Sequence, residues 1–177
     1  KKLFINMLIF SLCLNSLYAG NWPAWRGEDA SCSTDSGNYP TELNLKKNLL
    51  WKASLPDKGC STPIVWQDSI FLTCPINGED GVLSFSMNGG KNWQTKMGPQ
   101  RKGKHLNGSG SNPSLITDGK NLYALFKSGN LACLNRGGEI LWQRDLSSYG
   151  KDTLYWDFGT SPILSSKHVI VALMRKG

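Results

Sequence analysis

Side chains able to carry chemistry are few and scattered in this 177-residue sequence. Histidine occurs only at His105 and His168, and neither has a cysteine or carboxylate at the spacing of a metal site or a nucleophile dyad. Beyond Cys13, the cysteines are Cys32, Cys60, Cys74 and Cys133, with no CxxC among them. Four cysteines allow three pairings. Cys60 and Cys74 flank a hairpin expected to turn near Gln67 and Asp68, which leaves a cross-strand contact open; a one-residue slip of register would part them, and buried or inert thiols are the alternative. Glu79-Asp80 places two carboxylates on an expected hairpin turn, where they could attract a cation but are more simply exposed. Asp157-Phe158-Gly159 has the letters of a kinase metal loop, but no glycine-rich loop, VAIK-like strand or HRD segment accompanies it, so it reads as a strand-opening turn.

Gly108-Ser109-Gly110-Ser111-Asn112 is loosely like a phosphate cradle, yet it leads into Pro113 and a strand, whereas such a cradle needs a helix N-terminus behind it. Asn107-Gly108-Ser109 is a glycosylation sequon, a pattern that also arises by chance. The one dense charge run is Arg101-Lys102-Gly103-Lys104-His105. It falls in the roughly twenty-residue connection between Trp93 and Pro113, long enough to be a candidate functional loop. It could engage an acidic partner or a glycan, and a solvated loop is the simpler reading. These residues assign no catalytic, cofactor-binding or metal-ligating side chain.

The elements that would position them follow from composition and period. With 40% hydrophobic residues and seven tryptophans the chain is globular, which excludes a disordered, collagenous or coiled-coil protein. Its formal charge is +7; without Lys1 and Lys2 eighteen basic residues face thirteen acidic ones, +5, and the excess is scattered, which does not argue for nucleic acid. Residues 1–19, KKLFINMLIFSLCLNSLYA, have a basic start, an apolar stretch and a small residue, Ala19, before Gly20: the layout of a secretory signal peptide. Leu12 ahead of Cys13 argues against a lipoprotein. No later apolar run approaches the ~20 residues of a membrane helix, so the mature chain is expected to be exported, periplasmic or secreted, without a membrane span.

Self-comparison shows a repeat. Ser61-Thr62-Pro63-Ile64-Val65, Ile70–Thr73, Gly81–Phe85 and Gly89-Gly90-Lys91-Asn92-Trp93 return in the same order as Ser111–Ile116, Asn121–Leu125, Gly129–Leu134 and Gly137–Trp142. The order begins again at Thr160–Leu164 and His168–Leu173. Pro63, Pro113 and Pro162 lie 50 and 49 residues apart, and both Gly89 to Gly138 and Trp93 to Trp142 span 49. The runs are short, β-branched and bounded by Gly and Asp turns, so each unit is expected to be a four-stranded sheet. Such units bury both faces only by stacking, which predicts an all-β propeller of seven or eight blades. Three regions follow: the signal peptide 1–19, an N-terminal lead-in segment 20–47, and repeats over 48–177. The repeats comprise a leading strand Asn48–Leu55, two full blades and half of a third, an incomplete arc because a ring takes four to eight blades. Trp51, Trp93 and Trp142 are expected on last strands, filling the wedge between sheets, with Gly89 and Gly138 in turns closed to other residues.

The glycine turn, the tryptophan four residues after it and the Ser-Pro-opened strand resemble the pyrroloquinoline-quinone-like (PQQ-like) repeat of quinoprotein dehydrogenases and of the outer-membrane assembly lipoprotein. Asn21-Trp22-Pro23-Ala24-Trp25-Arg26-Gly27, Leu50-Trp51-Lys52 and Trp156–Pro162 are similar to exported bacterial proteins carrying this propeller. In the dehydrogenases the resemblance implies an axial quinone with calcium, a carboxylate base and often adjacent cysteines; no residue here matches those, so no cofactor is expected. The expected function is a non-catalytic binding or scaffolding module with a protein or glycan partner, the alternative being the N-terminal part of a quinone-dependent dehydrogenase.

Because stacked units draw stability from their neighbours and open edges template pairing, residues 20–177 expressed alone are expected to associate and to unfold without a sharp transition. Sizing chromatography and thermal unfolding check this; a monomer with a cooperative transition contradicts it.

Overall fold

The computed structural model describes residues 20–34, 37, 39–150, 152–153 and 155–173; the expected signal peptide lies outside them. Ten strands form two four-stranded antiparallel sheets and a hairpin. The first sheet runs β1 (Ile64–Trp66), β2 (Ser69–Thr73), β3 (Glu79–Ser86), β4 (Lys91–Pro99), each strand beside the next in sequence. The second repeats it as β5 (Ile116–Thr117), β6 (Asn121–Leu125), β7 (Asn130–Asn135) and β8 (Ile140–Asp145). A single 3-10 turn, Ser147–Tyr149, precedes the hairpin β9 (Ile163–Ser165) and β10 (His168–Ile170). These are the expected propeller blades, two complete and a third begun. Pro63, Pro113 and Pro162 stand just ahead of the first strands, where the missing N–H breaks no ladder.

Alternation along the strands supplies the packing. Ile64, Phe71, Val82 and Met97 of the first sheet meet Leu115, Leu122, Ala124, Phe126, Ala132 and Leu134 of the second in one buried cluster. The opposite face of the second sheet carries Leu125 and Leu131 against Phe158, with Val171 and Leu173 of the third unit beside them. The second sheet is therefore apolar on both faces and fills the place of a middle layer.

Trp93 and Trp51 each tie one unit to the next. Trp93 on β4 donates Nε1–H to the Arg136 carbonyl, 2.9 Å, and its ring lies over Gly138. Trp51 repeats the contact one unit earlier, donating to the Met87 carbonyl at 2.8 Å and covering Gly89. Both glycines have left-handed φ, +85° and +90°, and a Cβ on either would sit 2.6 Å from the indole. A bulge aims the ring. Trp93 pairs Ser84 while Phe85 pairs Lys91, and Trp142 pairs Cys133 while Leu134 pairs Ile140, so Asn92 and Leu141 are extra residues at matching places.

Two expectations are corrected. Asn48–Leu55 is not a strand, because no strand among the described residues lies beside it to complete a ladder; Trp51 docks from extended coil. The turn is at Asn77-Gly78, both with positive φ, and Glu79 and Asp80 already belong to β3.

The lead-in segment identifies the convergent side of the arc. Trp22 exchanges both backbone hydrogen bonds with Val65 on β1, and the carbonyl of Pro23 accepts from Thr117 on β5. Neighbouring residues are 3.8 Å apart, so the free edges of the first strands meet here, and residues 22–23 seal them. No helix among the described residues is long and apolar enough to cross a membrane.

Gly138→Ala is expected to destabilise by about 2–5 kcal/mol, from the left-handed backbone and the displaced indole together. Gly137→Ala, beside it without positive φ, should cost far less; urea unfolding of the two variants measures the difference.

Candidate functional site

The long connection after β4 is a structured loop. Its anchor is Asp157, from the segment opening the third unit. Both carboxylate oxygens accept the Lys104 amide at 2.8 and 2.9 Å, and Oδ2 also accepts the His105 amide at 3.2 Å. Oδ1 forms an ion pair with Lys127, whose side chain is 1% exposed against 5% for that of Asp157. Lys127 Nζ also donates to the Lys102 carbonyl at 2.8 Å, so one ammonium and one carboxylate hold residues 102–105 from both sides. Burial alone would raise the Asp157 carboxyl, but hydrogen bonds from Lys127 and the two amides, with the lysine charge, bring it below the usual carboxylate range. Gly108 makes room for it: a Cβ there would overlap the Asp157 carboxylate. Lys104 Nζ adds an ion pair with Asp152 at 3.0 Å.

Held this way, the loop presents two surfaces. One is a cleft of about 200 Å³ whose lining includes Lys58, Gln100, Lys102, Gly103 and Gly110, with Asp57 at its side. Gly103 and Gly110 lie against opposing backbone, a Cβ on Gly103 falling 2.5 Å from Gly108 and one on Gly110 falling 2.6 Å from the Arg101 carbonyl. The other surface is aromatic. Trp156 meets His105 edge-on at 5.2 Å and Tyr155 at 4.9 Å, and Trp156, Tyr155 and Leu106 are 61, 81 and 82% exposed. A larger apolar groove, about 520 Å³, lies between the lead-in residues Ala24, Trp25 and Ala30 and Pro162-Ile163.

A second buried carboxylate ties the first two units. Asp80 on β3, fully buried, accepts from Ser128 Oγ and, at 2.8 Å, from Asn130 Nδ2, both of the second unit; Oδ1 has no partner among the described residues. Burial pushes its carboxyl up to about 6 against those two hydrogen bonds. The expectation of exposure therefore fails for Asp80. Glu79 is on the surface and pairs with Lys96 at 2.7 Å.

The remaining sequence candidates separate. The basic run 101–105, Gly108-Ser109-Gly110 and Asp157-Phe158-Gly159 converge on the one loop; His168 on β10 stands apart. Cys60 donates to the Asn107 carbonyl and Cys74 to that of Asp57, so the two thiols diverge, and the four described cysteines are free. Burial raises the thiols of Cys74 and Cys133, which keeps them protonated and inert. Lys127 is the functional residue sequence reasoning missed. Its one trace is in the repeat: aligning the Asn77-Gly78 and Ser128-Gly129 turns sets Lys127 against Ile76, a charge where the earlier unit is apolar.

A family model described as "Outer membrane protein assembly factor BamB" matches residues 34–174. No curated protein matches the chain.

Asp157→Asn leaves a buried ammonium without its counter-charge and is expected to cost about 3–5 kcal/mol, read by chemical unfolding at neutral pH. Asp80 works in the opposite sense. Its folded pKa is raised, so the folded state binds the extra proton and stability rises as pH falls from above 6 toward 4. Asp80→Asn should remove that slope and gain on the order of 3 kcal/mol at pH 7; unfolding curves of both proteins from pH 4 to 8 test the sign.

Proposed function

The chain belongs to the PQQ-like repeat family whose model it matches, and on that premise we propose that it is an exported β-propeller serving as a non-catalytic binding or scaffolding module of the cell envelope or the extracellular space. The observation that carries this reading is the use to which the buried charges are put. Lys127 and Asp157 spend theirs on ordering a loop, and Asp80 bonds one unit to the next. What the ordered loop turns outward is basic and aromatic, the chemistry of a contact surface. The family description names an assembly factor of the outer membrane, a role in handling other proteins, which agrees with an envelope location.

The same geometry fits an axial quinone and calcium poorly. The first-strand edges of both complete units are taken by Trp22 and Pro23, the Asp157 carboxylate is neutralised by Lys127, and no group of three His, Cys, Asp or Glu residues among those described is placed to hold a metal. No two cysteines in the sequence are adjacent.

Full-length protein mixed with the quinone and calcium is expected to give no oxidation of alcohols or sugars above the protein-free control. Turnover that requires the quinone and is lost in a metal-free preparation would make the protein a dehydrogenase and end this reading.

A further inference from the structure

The surface at the 101–110 loop has enough chemistry to specify what it receives, on the footing that the protein is a binding module. Arg101 and Lys102 are exposed, and nothing among the described residues accepts from their side chains. Lys58 reaches the same place from the first unit, its ammonium donating to the Leu106 carbonyl at 2.5 Å. The carboxylates around the loop are engaged elsewhere: Asp57 accepts the Lys58 amide at 2.7 Å, Asp157 pairs with Lys127 and Asp152 with Lys104, which leaves the two exposed cations uncancelled. Gly110 is buried, lines the cleft, and its amide donates to no acceptor among the described residues. A buried amide seeks an acceptor, and beside lysines the acceptor favoured is an anionic oxygen.

The aromatic side supplies the second half of the recognition. Trp156 and Tyr155 stand beside the loop, stacked edge-on and half or more exposed, with Leu106 projecting next to them. An inorganic anion would have no use for that apolar area, whereas a peptide would cover it; exposed aromatics beside arginine are the composition of protein interfaces. Asp157 joins the halves rigidly, holding Lys104 and His105 through their amides while its own chain neighbour is Trp156. The surface is thus ordered before a partner arrives, which lowers the entropic cost of binding.

We propose that the cleft lined by Lys58, Lys102 and Gly110, together with the exposed Trp156-Tyr155 pair, docks an extended acidic segment of a partner protein, a carboxylate side chain entering the cleft and a neighbouring bulky apolar side chain covering Trp156. The net positive charge, +5 without Lys1 and Lys2 of the leader, draws such a segment in.

The test is fluorescence anisotropy with the full chain and a labelled, end-blocked eight-residue peptide carrying Glu on both sides of a Phe, against the same peptide with Gln for Glu and against one with Ala for Phe. The acidic peptide is expected to bind at least tenfold tighter than the Gln peptide and several-fold tighter than the Ala peptide, and to lose affinity at 0.5 M salt. Arg101→Glu with Lys102→Glu should weaken it at least tenfold and Trp156→Ala several-fold, with thermal transitions unchanged because these side chains are exposed. Equal binding of the acidic and Gln peptides overturns the proposal. So does affinity unaltered by the double charge reversal, an outcome that moves the contact surface elsewhere and leaves the binding-module reading standing. Displacement by inorganic sulfate as effectively as by unlabelled acidic peptide also overturns it, since the cleft would then be a plain anion site.

Discussion

The contact between a tryptophan and the glycine turn of the following unit is the constraint on which the rest of the structure depends. A four-stranded sheet has two faces and cannot bury both alone, so each unit needs its neighbour at a defined angle. The indole sets that angle. Trp93 lies flat on Gly138 and donates to Arg136, and Trp51 does the same at Gly89 and Met87. One face of the indole and its single donor are used together, so the ring fixes both spacing and rotation, and the large buried area of such a ring makes the contact strong. The bulge at Asn92 is part of the device, since it turns the outer strand so that Trp93 faces the next unit.

Along the third and fourth strands of each unit, polar groups add to this contact. Asp80 binds Ser128 and Asn130 across the first interface, and Gln143 donates to the Met97 carbonyl at 2.7 Å on the same seam. Across the second interface Lys127 meets Asp157. These two carboxylates show how environment divides one residue type. Asp80 receives only neutral donors and is pushed toward the protonated form, while Asp157 receives an ammonium and two amides and stays ionised. A buried ion pair is weak evidence for net stability; its visible effect here is order, since it fixes residues 102–105 and with them everything the loop displays.

The parts of this structure that recur were legible in the sequence, because repetition prints a physical requirement more than once. Pro63, Pro113 and Pro162 mark the strand openings, and the Gly-to-Trp spacing marks the docking contact, which a single unit would not have revealed. What occurs once was not legible. Lys127 and Asp157 are ordinary letters thirty positions apart, and only the fold brings them together. The segment Asn48–Leu55 has a strand's composition but no neighbour among the described residues, and a strand is made by its partner as much as by its own residues. Glu79-Asp80 looked like a turn because charged pairs often are; the true turn, Asn77-Gly78, lies two residues earlier and sends Asp80 inward.

A carboxylate from the third unit holds the basic loop in one conformation. Amide hydrogen exchange at Lys104 and His105 tests it most directly, because those two N–H groups are the ones Asp157 accepts. In the unaltered protein both amides should be protected to the level of the β4 and β7 ladder, and substituting Lys127 by Met should release them while the strand amides of the first sheet stay protected. Exchange of Lys104 and His105 at the rate of an open loop in the unaltered protein would show that Asp157 does not hold the loop.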